Sequence, residues 1–194
     1  MTKKLVLILA ILLYPQIASA AIVEGTNAGF CLSAPSADPA GTATAQDDTG
    51  RATKFTSPAD INTVTEIGWW SDQISEEANF EVGIYADNGS GTAPGAAVYR
   101  NQTNAKGLGA GWKAVTGISV SLSPSTVYWI AVQVDNTVTT TSTDGSTTGA
   151  PYRRNFDTAA TTLPDPWADD GTSENILAFY AVYTQVSDRR IIFS

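Results

Sequence analysis

The 194-residue chain carries nineteen acidic and eleven basic side chains and no histidine, and that inventory limits the chemistry open to it. Without imidazole it lacks the commonest general base, the commonest zinc ligand and the base of the usual serine or cysteine triads. Paired carboxylates, as in glycoside hydrolysis, are the remaining equipment for acid–base work. Glu76-Glu77, Glu81, Asp165 and Asp169-Asp170 are available for it. Linear order does not give their separation in space, and carboxylates of this kind ordinarily stand solvated at a surface. The expectation is a protein that is not an enzyme.

Two other chemistries are open. Asp87 and Asn88, in the run Asp87-Asn88-Gly89-Ser90, and Asp165 with Asp169 and Asp170 offer hard oxygen ligands in short loops, the type calcium prefers. Neither run fits the twelve-residue EF-hand pattern, and Asx side chains in turns commonly cap their own backbone instead. Flat aromatic rings beside hydrogen-bonding groups suit a glycan, and Tyr85, Trp112, Trp129, Tyr152 and Trp167 are the candidates. Burying one such ring stabilises a fold by at most roughly 4 to 6 kcal/mol, so a covered sheet or a sealed loop is the stronger default for the same rings. No cofactor is called for beyond the candidate calcium.

The elements that must position these residues are strands. Phe80, Val82, Ile84 and Ala86 alternate with Glu81, Gly83, Tyr85 and Asp87, the period of two that sends one set into a core. A turn with an Asn-Gly step and Pro94-Gly95 follows, and residues 96–101 return. In residues 126–135, Tyr128, Ile130, Val132 and Val134 share one face and Val127, Trp129, Ala131 and Gln133 the other. Parity therefore turns Tyr85 and Trp129 away from the core set of their own strands. Residues 51–56, 61–71 and 118–122 also read as strands, with a bulge needed near Val64 to bring it into phase with Ile67 and Trp69. Alternate glycines at 107, 109 and 111 deliver Trp112 from a turn. Residues 35–50 read as a loop, 135–149 as a polar hairpin or surface loop, and 150–156 as a short strand. Two prolines bar 163–167 from the middle of a sheet. Residues 176–183 are apolar throughout, as in a strand covered on both faces.

The amino terminus bears on compartment. Lys3 and Lys4, an apolar run over residues 5–14 and Ala18-Ser19-Ala20 describe a secretory signal peptide cleaved before Ala21. The run is shorter than the roughly 20 residues of a membrane span, so no stable span is expected once it is removed. Phe30 stands where a lipoprotein signal ahead of Cys31 needs a small residue, and a lone cysteine closes no internal disulfide. The acidic balance, net −8, offers no basic face to a nucleic acid. The expected division is 1–20 signal peptide, 21–50 N-terminal strand or arm and loop, and 51–194 one all-β domain. Its fold class is a two-sheet antiparallel β-sandwich, jelly-roll in type.

Several of these motifs, in order, carry a resemblance: Gly83-Ile84-Tyr85-x-Asp87-x-Gly89-Ser90, Pro94-Gly95, Gly111-Trp112, Leu122-Ser123-Pro124-x-Thr126-x-Tyr128-Trp129-Ile130-Ala131, Leu163-Pro164-Asp165-Pro166 and Phe179-Tyr180-Ala181-Val182-Tyr183. Together they resemble a loosely defined group of secreted or surface β-sandwich modules, carbohydrate-binding-like, of bacteria, archaea and their viruses. The resemblance implies an extracellular jelly-roll module that binds a glycan or cell-surface component or acts as a structural spacer, with no catalytic residues to transfer. The expected function is surface adhesion or glycan binding. The alternative is a structural subunit that assembles with copies of itself. Extended apolar segments at residues 21–24 and 191–193 would then add as strands to a neighbour's sheet.

Overall fold

The structure, a computed structural model, describes residues 21–46, 48–74, 78–135, 141–146, 154–157, 161–168 and 171–186. All regular structure among them is β. In chain order the strands are β1 Gly29–Cys31, β2 Thr42–Ala45, β3 Thr49–Thr56, β4 Ile61–Ser71, β5 Asn79–Asp87, β6 Pro94–Ala105 and β7 Gly111–Ser121. There follow β8 Val127–Val134, β9 Ser142–Ser146, β10 Arg154–Asp157, β11 Gly171–Ser173, β12 Ile176–Leu177 and β13 Phe179–Gln185. They form three sheets, ordered β1-β13-β4-β7, β11-β10-β3-β8-β5-β6 and β12-β9-β2.

The two larger sheets share one apolar interior, and alternation along the strands decides what enters it. Phe80, Val82 and Ile84 of β5 and Ile130, Val132 and Val134 of β8 point inward, and Ile84 lies opposite Ile130 with both fully buried. From the four-stranded sheet come Ile67 and Trp69 of β4 and Phe179 and Ala181 of β13. Trp69 meets Phe80 across the interior edge to face, with ring centroids 5.9 Å apart. Against β13, β4 carries one extra residue, Thr65, between Val64 and Glu66, whose partners Tyr183 and Val182 are consecutive. This is the bulge the sequence called for, and it lets Val64 join Ile67 and Trp69 in the core.

Four expectations change. A third sheet exists beside the two expected. Pairing is not wholly antiparallel, because β1 runs parallel to β13. The stretch read as a loop contains β2 and the one read as a polar hairpin or surface loop contains β9, which pair with each other, and Thr141, Thr143 and Asp144 are buried. The apolar run 176–183 is divided between sheets, with β12 on β9 and β13 on β4, and Ala178 at the junction. Close by, the N-terminal apolar segment is used within its own chain: Ile22 is buried in the shared core, and Val23 N donates to Asn27 Oδ1 at 2.7 Å. Residues 1–20 and 191–193, on which the signal peptide and the second donor segment rest, lie outside the described residues. Among the described residues no helix is long and apolar enough to cross a membrane.

Candidate functional site

The outward face of β5 and β8 is where parity directed Tyr85 and Trp129, and the structure puts both there. Neither ring is accessible. Residues 161–168 lie across this face, so that Ala52, Tyr85, Trp129, Ala131, Leu163 and Trp167 form a second, smaller apolar cluster. Trp129 is 0% exposed and donates Nε1–H to Asp87 Oδ1 at 3.0 Å. Tyr85 donates its hydroxyl to Pro164 O at 2.7 Å and stands edge to face with Trp167 at 5.1 Å. The covering segment is held at its edges by polar ties: Leu163 N donates to Glu81 Oε2 at 2.7 Å, Arg100 Nη1 to Leu163 O at 2.8 Å and Ala97 N to Asp165 Oδ1 at 3.1 Å. Burial pushes the Glu81 carboxyl up, opposed by the Leu163 N–H and the Arg100 guanidinium. The expectation of open ring faces at Tyr85, Trp129 and Trp167 is therefore corrected: the three rings are interior to a layer closed by the chain itself.

Trp112 lies on the outward face of the other large sheet and is half-buried. Its ring makes edge contacts with Trp70 at 5.4 Å and Tyr180 at 5.3 Å, and Nε1–H reaches Ala37 O at 2.9 Å. Tyr180 lies across Gly68, where a Cβ would come within 2.5 Å of the ring, so only glycine lets the ring sit flat on the strand. Its hydroxyl donates to Glu66, and burial pushes its pKa up. Of the five candidate rings, Trp112 is half-buried, Tyr85, Trp129 and Trp167 are buried, and Tyr152 lies outside the described residues.

The carboxylates proposed for calcium are engaged otherwise. Asp87 Oδ2 accepts Gly89 N at 2.8 Å and Gly91 N at 3.0 Å, while Oδ1 serves Trp129. Asn88 Oδ1 accepts Ser90 N at 2.9 Å. Both residues thus cap their own turn. Asp165 pairs with Arg100 at 3.6 Å, and Asp169 and Asp170 lie outside the described residues. Among the described residues no three His, Cys, Asp or Glu side chains are grouped to hold a metal ion.

An open groove of about 520 Å³ runs along the outer margin of β6, lined by residues 97–102 and Asp165. Val98 is 42% exposed there, beside a guanidinium, two carboxamides and a carboxylate from Arg100, Asn101, Gln102 and Asp165. This constellation escaped the sequence reading because attention to aromatic rings passed over a polar return strand. Its visible signal was the unbroken polar run Arg100-Asn101-Gln102.

Elsewhere, Cys31 is buried, and its thiol is pushed up to about 12 by desolvation, so it behaves as a small apolar side chain. Asp144 of β9 is pushed up to about 6, first by burial and then by the neighbouring carboxyls of Asp72 and Asp38, while the Gly41 N–H it accepts acts the other way. Compared with protein-family models, curated proteins and solved structures, the chain matches none.

Proposed function

We propose that this chain is a non-catalytic extracellular module, a jelly-roll β-sandwich of the kind its motifs resemble, that adheres to a hydroxyl-rich surface ligand such as a glycan. The observation that carries this reading is the β6 groove. Its side chains both donate and accept hydrogen bonds, as sugar hydroxyls require, and Val98 supplies an apolar patch beside them. Five aromatic rings made glycan binding attractive from sequence, but three are enclosed, so the reading now rests on polar groups at a sheet margin. A glycan array with the secreted protein tests it. Gln102→Ala, at an exposed position, should abolish the signal without moving the melting temperature. An array with no signal, or one unaffected by Gln102→Ala and Val98→Glu together, contradicts the reading.

A second reading, assembly by strand addition, is favoured by a separate observation. β6 and β7 end their sheets, and each spans more than ten residues. An edge of that length presents unpaired backbone groups to another chain. Both edges are interrupted, β7 by a register shift at Gly117 and β6 by three register shifts against β5. Light scattering distinguishes the two readings: adhesion alone predicts a monomer at all concentrations, and assembly predicts mass that rises with concentration.

A further inference from the structure

Where the third sheet meets the two larger ones, a set of buried polar atoms serves neither reading. Trp69 and Ser71 of β4, Gln46 just after β2, Thr141 just before β9 and Thr143 within it are each 0% exposed. Among the described residues, Trp69 Nε1, Ser71 Oγ, Gln46 Oε1, Thr141 Oγ1 and Thr143 Oγ1 have no hydrogen-bond partner. The amide nitrogen of Gln46, by contrast, is satisfied: Nε2 donates to Val132 O at 2.8 Å and to Thr49 O at 3.1 Å.

Backbone bonds bring these residues together. Trp70 N donates to Ala178 O at 3.1 Å, Ala178 N to Asp144 O at 2.9 Å and Asp72 N to Ser142 O at 3.1 Å. The bonds close a circuit in which Ser71 is the middle residue on β4 and Thr143 the middle residue on β9. Ser71 shares the inward parity of Ile67 and Trp69, while Trp70 turns outward to Trp112. On β9, Thr143 shares a face with Gly145, where a Cβ would stand 3.1 Å from the side chain of Leu177 in the main core. Gln46 N donates to Thr141 O at 2.7 Å, and the Gln46 side chain then runs to Val132 of β8. The cluster therefore lies inside the shared interior, with one side on each of the three sheets.

The chemistry of the five atoms selects what joins them. Left unpaired, so many buried polar groups would cost a large part of the stability of a domain. An indole N–H only donates, a carboxamide oxygen only accepts, and a hydroxyl does either. A cation offers the indole no acceptor, and an anion offers the carboxamide oxygen no proton. Water supplies both, and a buried molecule needs about two to four polar partners.

We propose that the meeting point of the three sheets is a water-binding site, in which enclosed water bridges Ser71 to Thr143 and extends to Thr141, Gln46 and Trp69. β9 has no apolar side chain with which to pack. It is fastened to the interior by hydrogen bonds, through water as well as through the backbone circuit.

Thr143→Val and Ser71→Ala remove one hydroxyl each with little change of shape, and the sign of their effect tests the site in the full chain. Removing a hydroxyl from a dry site relieves a penalty and stabilises the fold; removing one that holds water breaks a bond and strands the water. Each variant should therefore melt about 2 to 4 °C below the parent. A melting temperature equal to or above the parent's overturns the proposal. A high-resolution crystal structure of the parent chain supplies a test that needs no variant to fold. It should show ordered water within hydrogen-bond reach of both Ser71 Oγ and Thr143 Oγ1, and an interior without it there overturns the proposal.

Discussion

Trp129 shows how a residue's neighbours decide between two meanings of the same side chain. Its parity was legible, because Val127, Trp129 and Ala131 had to stand opposite Tyr128, Ile130 and Val132. Its burial was not, because the segment that covers it is some thirty residues away and carries no strand periodicity. Enclosed on both sides and bonded to Asp87, the ring is part of the fold, and Trp129→Ala should cost about 3 to 5 kcal/mol in equilibrium denaturation. A variant as stable as the parent would mean that the ring stands free. Glu81 supplies a second prediction. Its folded carboxyl is raised by burial, so its contribution to stability is greatest in acid and diminishes as pH rises through the folded value. Glu81→Gln keeps the acceptor for Leu163 N–H without the charge. Melting curves should coincide with the parent in acid and lie above it at neutral pH; a variant less stable at neutral pH would show that the Arg100 attraction outweighs burial.

Among elements, those with two kinds of side chain were readable and those with one kind were not. β5 and β8 announce themselves by alternation, and the misfit of Val64 marked a bulge, because a phase error in a buried strand has only one local remedy. β2 and β9 have Thr, Ser, Ala, Asp and Gly on both faces, so they offer no apolar period, and their pairing with each other is a long-range fact no local pattern reports. Residues 176–183 gave the opposite difficulty: uniform apolarity hid the break at Ala178 where the chain passes from one sheet to another. The β6 groove was missed for a related reason, since Arg100, Asn101 and Gln102 become a site only once Asp165 is brought beside them. The covering segment 161–168 invites its own test. Leu163→Ala should lower stability by about 2 to 5 kcal/mol and raise acrylamide quenching of tryptophan fluorescence as the layer over Trp129 loosens. Unchanged quenching together with unchanged stability would show that the segment does not seal that face.

For the whole molecule, each large sheet has an outward aromatic set tied down by a non-strand segment of the same chain. Tyr85, Trp129 and Trp167 lie under residues 161–168, and Trp112 is bonded to Ala37 in the exposed segment between β1 and β2. This arrangement explains how 43% hydrophobic composition coexists with one cysteine and no internal disulfide, because apolar area is buried in a second layer as well as in the main interior. It also leaves β6 and β7 at the margins of their sheets. β8 lies at the centre, paired with β3 on one side and β5 on the other, with one face in the shared interior and the other beneath the cover. Native-state hydrogen exchange across Val127–Val134 is the most direct test. Backbone amides in the middle of this strand should exchange only with global unfolding and be among the slowest in the chain. Exchange of the Trp129 to Val132 amides as fast as that of the exposed segment 32–38 would contradict a strand enclosed on both faces.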